Sequence, residues 1–190
     1  MINRAVFLDL DGVLIKASCG KYNNKLSDVE LIQSAIDAVA LINDLGYKTF
    51  IITNQSGIAK GLKTIADHNE IINYVMHEVK KSGGLITHVY CCPHAPGDKN
   101  CDCRKPLPGN ILKCAKEYDI DLSTSLFVGD MESDIGAAHN AGIRSVMVLS
   151  GLTLKTTVIK DMKFIPDFVF DDLMNLAEYL KETKMKSLVR

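Results

Sequence analysis

Asp9 and Asp11 close the apolar run Arg4 to Leu10 and stand just before Gly12; Asp130 and Asp134, one helical turn apart, follow Val128-Gly129. Carboxylates at the end of a hydrophobic run need a compensating charge, and period-two alternation points Asp9 and Asp11 to the same side. That convergence suits a hard cation, with Gly12 turning the chain away, although an ordinary Asp-Gly turn is the plainer alternative. Asp130 offers one carboxylate for a metal and Asp134 a second for its water shell; acids in a first helical turn also answer the helix dipole. Thr53, Asn54, Gln55 and Ser56 follow a second apolar run and offer neutral donors to an anion, or simply a polar turn. Arg104 and Lys105 precede Pro106: a planar fork and a point charge, both fit for a phosphoryl group. Together these acids, the hydroxyl and the lysine describe a site for metal-assisted phosphoryl transfer.

Six cysteines lie at 19, 91, 92, 101, 103 and 114, four of them within thirteen positions. A chain of 190 residues buries about 70% of its extended surface and needs no disulfide to fold, so the crowding points to metal ligation. Cys92, His94, Cys101 and Cys103, spaced C-x-H then C-x-C, supply three thiolates and an imidazole, a set suited to closed, tetrahedral structural zinc. Such a site would pin an irregular loop, residues 92–105, and present Arg104 and Lys105 right after its last ligand. Cys91 and Cys114 read as core and Cys19 as loop. His68, His77, His88 and His139 read as surface or satisfied structural histidines.

These residues need a scaffold, and the chain alternates β-branched runs with 3.6-period segments. Strands are expected at Arg4–Leu10, Tyr47–Thr53, Leu85–Cys91, Ser125–Gly129, Arg144–Leu149 and Asp167–Phe170. Helices are expected at Ser34–Leu45, opened by a capping-box spacing of Ser34 and Asp37, and at Thr64–Lys81, Gly109–Tyr118, Asp130–Ala141 and Leu173–Lys181. Strands separated by helices imply an α/β fold: a doubly wound, mainly parallel sheet with helices on both faces and ligands at the strand C-termini. The chain then reads as a single domain, 1–190, with no separate cap domain.

Composition narrows the function. With 22 basic and 23 acidic side chains there is no basic excess to hold nucleic acid. No apolar run is long enough to span a membrane, and the N-terminus does not read as a signal peptide, so a cytoplasmic protein with reduced thiols is expected. A monomer would need no special interface.

At the motifs above the sequence resembles the haloacid dehalogenase superfamily of phosphohydrolases: Asp9-Leu10-Asp11-Gly12-Val13 is similar to its first motif, Thr53 to its second, Lys105 to its third, and Gly129-Asp130 with Asp134 to its fourth. Residues 53–61, Cys92-Pro93-His94 and Cys101-Asp102-Cys103-Arg104-Lys105-Pro106 resemble the subgroup of heptose bisphosphate and histidinol-phosphate phosphatases, zinc loop included. The resemblance implies Asp9 as nucleophile forming an aspartyl-phosphate and Asp11 as general acid, then base. It implies magnesium on the Asp9 carboxylate, the Asp11 carbonyl and Asp130, with Asp134 orienting bound water. Thr53 and Asn54 would donate to phosphoryl oxygens, Lys105 would balance charge beside Asp9, and Gln55, Ser56 and Arg104 would contact a phosphorylated sugar. Leu10, Lys60 and Asn110 depart from the subgroup's pattern without removing a catalytic group.

Other readings remain open at the level of sequence. Histidinol phosphate or another small ester is a second substrate class. A phospho-acceptor signalling domain also joins acids, magnesium, Thr and Lys on such a sheet, but lacks the Asp-x-Asp pair and the zinc loop. A noncatalytic zinc-stabilised binding module leaves the aligned acids unexplained.

Overall fold

A computed structural model describes residues 3–17, 23–152 and 162–188, with the side chains of 185–188 left aside. Cys19 and part of the loop before Ser27 lie outside the described residues. Six strands, β1 (Ala5–Leu8), β2 (Lys48–Asn54), β3 (Ile86–Cys92), β4 (Leu126–Gly129), β5 (Arg144–Val148) and β6 (Phe168–Phe170), form one sheet in the order β3-β2-β1-β4-β5-β6. Every adjacent pair is parallel. The order reverses between β1 and β4, and a crevice opens at such a switch point beyond the carboxyl ends of the strands.

Alternation along β1 explains the two layers. Val6 and Leu8 face one side, with Ile51 of β2 and Val128 of β4, against α1 (Gln33–Asp44), α3 (Ile65–Lys81) and α6 (Leu173–Leu188). Ala5 and Phe7 face the other, with Phe50, Ile52 and Phe127, against α4 (Gly109–Tyr118) and α5 (Glu132–Ala141). Phe7 lies between Phe50 and Phe127, with ring centroids 5.6 and 6.4 Å away. Both faces of the central strands are therefore buried, as a parallel sheet requires.

Several local expectations change. β1 ends at Leu8, two residues early, because the chain turns at once: Leu14 N–H and Ile15 N–H donate back to the Leu10 carbonyl, and Gly12 takes φ +91°. α1 has no Ser34 box, since Ser34 Oγ instead bonds Asp172 Oδ2 at 3.2 Å. The reciprocal box stands at α3, where Asp67 N–H donates to Thr64 Oγ1 at 3.1 Å and Thr64 N–H to Asp67 Oδ2 at 2.9 Å. A short helix, α2 (Ser56–Ala59), follows β2 where only a polar loop was expected. Among the described residues no helix is long and apolar enough to cross a membrane, and the segments between the expected motifs hold helices of the sheet layers, short turns and the cysteine loop.

Candidate active site and metal centres

Asp9, Asp130 and Asp134 meet at the switch point, each offering a carboxylate oxygen within 4.8 Å of the others. Asp9 comes from the turn after β1, Asp130 follows β4, and Asp134 sits in the first turn of α5, fully buried. Lys105 enters from the opposite side: its Nζ lies 2.7 Å from Asp9 Oδ1 and 2.6 Å from Asp134 Oδ1, and donates to the Ile52 carbonyl at 2.8 Å. Its side chain runs beside the Phe127 ring and is 2% exposed, so the ammonium has exchanged water for two carboxylates. Burial lowers its pKa, but Asp134 and Asp9 outweigh that and leave it raised.

Three acids against one lysine leave a formal charge of −2 (−3 + 1) in a nearly dry pocket. Asp9 and Asp130 register that excess. Burial pushes Asp9 well above the ordinary carboxylate range, with Asp134 and Asp130 adding to the effect of burial and Lys105 opposing it. Burial and then the Asp134 charge raise Asp130 to about 7. Asp130 Oδ2 accepts from Leu152 N–H at 2.8 Å, while its buried Oδ1 has no hydrogen-bond partner. A buried, unpartnered carboxylate oxygen in a cluster of charge −2 is what a divalent cation would satisfy, so the residues fit a hard metal ion.

Glycine makes this packing possible at three points. A Cβ on Gly129 would lie 2.2 Å from Asp134 Cβ, and one on Gly12 or Gly151 would lie 2.3 or 2.0 Å from Asp130 Oδ2. The space beside Gly129 is taken by the Asp134 side chain. Asp134 Oδ2 also accepts from Met131 N–H at 3.0 Å, tying the start of α5 to the cluster.

Asp11 departs from the expected convergence. The chain turns between Leu10 and Ile15, and the Asp11 carboxylate is not in the three-acid group; Oδ1 accepts from Asn23 Nδ2 at 2.6 Å and Oδ2 from Gln55 Nε2 at 2.9 Å. Asn54 has an engagement that the sequence does not show. Its Nδ2 donates to the Lys105 carbonyl at 3.1 Å and its Oδ1 accepts from Lys105 N–H at 3.0 Å, so its side chain is engaged with a backbone segment. Thr53 is buried beneath the cleft, and its Oγ1 accepts from Gln55 Nε2 at 2.9 Å, which keeps its own O–H available to donate.

The cleft above these groups holds about 280 Å³. Asp9, Asp11, Asn54, Gln55, Ser56, Arg104 and Lys105 all line it, as do Asn23, Lys63, Met131 and Leu152, which sequence reading did not single out. Asn23 and Leu152 carry no motif signal, and Lys63 resembles any loop lysine before a helix cap. A cavity of about 310 Å³ lies elsewhere, among Arg4, Tyr47, Arg144 and Tyr179, away from the clustered acids. Leu10 is fully buried in the core on the α1 side, so that departure does not touch the cleft.

The second cluster is made by Cys92, His94, Cys101 and Cys103. Cys92 Sγ lies 3.5 Å from His94 Nδ1 and 3.6 Å from Cys101 Sγ; Cys103 Sγ lies 3.5 Å from Cys101 Sγ and 3.4 Å from His94 Nδ1. Tetrahedral zinc, with bonds of about 2.3 Å to sulfur and 2.0 Å to nitrogen, has edges of about 3.8 Å between sulfurs and 3.5 Å from sulfur to nitrogen. The four side chains therefore match a tetrahedral ion. Burial raises the Cys92 and Cys103 thiols, whereas at Cys101 hydrogen bonds with Cys103 and Arg104 outweigh burial and bring the thiol down to about 7, so the low pKa of the set falls on one thiol. Arg104 Nη1 donates to the His94 carbonyl at 3.3 Å, which joins the loop to the cleft. Cys91 is half-buried and outside the ligand group, Cys114 is core, and His68 is buried with Nδ1 unpartnered, neither a surface nor a satisfied histidine.

A sheet of this order with acids and a lysine at its switch point defines a haloacid dehalogenase-like phosphohydrolase, and the HAD-hydrolase-like family matches residues 102–176. The chain belongs to this superfamily, in the family of the heptose-1,7-bisphosphate 7-phosphatases. It is 39% identical to D-glycero-alpha-D-manno-heptose-1,7-bisphosphate 7-phosphatase of Photorhabdus laumondii over 155 residues, covering 78% of this chain and 84% of that one. It is 38% identical to the D-glycero-beta-D-manno-heptose enzyme of Helicobacter pylori (strain 26695), covering 88% and 98%. The crystal structure of D,D-heptose 1.7-bisphosphate phosphatase from B. bronchiseptica, complexed with magnesium and phosphate, superposes with a TM-score of 0.87 at 32% identity, covering 95% of this chain and 99% of that one.

Proposed function

We propose that this protein is a magnesium-dependent phosphatase that removes the 7-phosphate of D-glycero-D-manno-heptose 1,7-bisphosphate through an aspartyl-phosphate. The observation that carries the reading is the position of Asp9: its Oδ1 accepts from Leu10 N–H at 2.8 Å and is paired with Lys105, which leaves Oδ2 for attack on phosphorus. Asp11 protonates the leaving sugar oxygen and then takes a proton from the water that hydrolyses the intermediate. Thr53 donates to a phosphoryl oxygen, and Lys105 neutralises charge beside Asp9. Gln55, Ser56 and Arg104 face the rest of the sugar phosphate. Asn54 supports Lys105 and keeps one amide hydrogen for substrate.

The Asp9 and Asp130 carboxylates and the Asp11 carbonyl would hold magnesium, with Asp134 beside its water shell. Bound there, the ion supplies Lewis-acid neutralisation of phosphoryl charge. Cys92, His94, Cys101 and Cys103 would hold structural zinc. The enzyme works as a cytoplasmic monomer, one domain over residues 1–190, on a small phosphorylated sugar, with neither nucleic acid nor membrane as partner.

Phosphate release from heptose 1,7-bisphosphate, histidinol phosphate and simple sugar phosphates, compared by kcat/KM, tests this reading. The heptose bisphosphate should lead, and the remaining product should carry its phosphate on carbon 1. A lead by histidinol phosphate would move the enzyme to the other branch of the subgroup.

A further inference from the structure

We propose that Lys63 is a positioning residue for Asp11, acting through the side-chain amide of Gln55; this rests on Asp11 being the general acid. Lys63 lies in the turn between α2 and α3, at a point where a lysine is normally solvated. It is instead 5% exposed, and it lines the cleft. Its Nζ donates to Gln55 Oε1 at 2.8 Å. The other end of that amide reaches two catalytic groups: Nε2 donates to Asp11 Oδ2 at 2.9 Å and to Thr53 Oγ1 at 2.9 Å.

All three polar positions of the Gln55 amide are thus in use. Rotating it by half a turn would put Oε1 against the Asp11 carboxylate and its NH₂ group against an ammonium, two repulsive contacts. The cation at position 63 therefore selects the one amide orientation that holds Asp11. Burial leaves the Lys63 pKa below its ordinary value, and the Asp11 charge across the amide is the largest influence opposing that shift.

The chemical step requires that hold. As the bond from Asp9 Oδ2 to phosphorus forms, the bond from phosphorus to the leaving oxygen breaks, and the Asp11 proton passes to that oxygen. An alcohol leaves poorly without the proton, so a carboxyl free to rotate away slows that reaction most. Lys63 transfers no proton itself.

The test compares kcat/KM, which reports steps through aspartyl-phosphate formation, for a heptose bisphosphate and for p-nitrophenyl phosphate, whose leaving group needs no proton. Lys63→Met should lower kcat/KM for the sugar ester by about 10- to 100-fold, within the range of general-acid effects, and for the aryl ester by no more than about threefold. Lys63→Arg, which keeps charge and donor, should restore the sugar ester to within about threefold. Asp11→Asn should show the same preference more deeply. Equal losses on both esters, or no loss in Lys63→Met while Asp11→Asn discriminates them, would overturn the proposal. If Asp11→Asn does not discriminate, the general-acid assignment fails and the proposal with it. Should Lys63→Met not fold, Lys63→Gln gives a second neutral variant under the same criteria.

Discussion

Asn54 grips the backbone of Lys105 with both ends of its amide, accepting from the Lys105 N–H at 3.0 Å and donating to its carbonyl at 3.1 Å. One side chain thereby ties the end of β2 to the loop that delivers the ammonium between Asp9 and Asp134.

Asn54→Ala should release that loop and leave two buried backbone groups unpaired, costing about 1–3 kcal/mol of stability. The larger effect should fall on turnover, with kcat lowered by about 10- to 100-fold as Lys105 loses its position. Steady-state kinetics beside a thermal melt checks this; a fall in stability with kcat unchanged would show that the grip is structural only.

Zinc removal should act locally. The cysteine cluster bonds to the cleft through Arg104 and the His94 carbonyl, whereas the sheet is held by its own two apolar layers. Titrating with a zinc-selective chelator in excess magnesium should therefore abolish activity while far-UV circular dichroism stays near its starting value. Loss of both signals together would make the cluster part of the global fold.

Gly151→Ala and Gly129→Ala should both damage the acid cluster, since the added methyls would meet Asp130 Oδ2 at 2.0 Å and Asp134 Cβ at 2.2 Å. We expect magnesium activation to require about tenfold more metal, with about 1–3 kcal/mol of overpacking cost. Magnesium dependence of the initial rate, measured beside urea unfolding, separates the two effects.

His68 should make stability depend on pH. Burial, helped by the Lys63 charge and opposed by Asp11, holds its imidazole down to about 4 against an ordinary value near 6.5. Between those values the unfolded chain binds the proton and the folded one does not, so stability falls as pH drops from 6.5 towards 4, by on the order of 2 kcal/mol. His68→Leu should lose less on acidification than the parent, by about 4–8 °C in Tm. Parallel melts at pH 7 and 4.5 measure the difference.

Much of this was legible from residue order. Parallel strands separated by helices, the acids at strand ends and the C-x-H and C-x-C spacing need only periodicity and ligand chemistry to be read, and each has its counterpart in the fold. What escaped depends on contacts between distant segments. Alternation carried Asp11 onto the Asp9 side, but the strand ends at Leu8 and the chain is already turning towards Gly12, so the Asp11 carboxylate meets Asn23 and Gln55. Asn54 reads as a ligand donor, and nothing local shows that it also holds the Lys105 backbone. Lys63 and Gly151 gave no signal: one is buried by the packing of α2 and α3 around the cleft, and the other is required small by a carboxylate 21 positions earlier in the chain.

The rate of phosphate release by Asp9→Asn tests most directly whether Asp9 is the nucleophile. Assayed with heptose 1,7-bisphosphate and magnesium, the variant should be slower than the parent by about a thousandfold or more while its melting curve stays cooperative. Release within about tenfold of the parent rate would contradict an aspartyl-phosphate at this position.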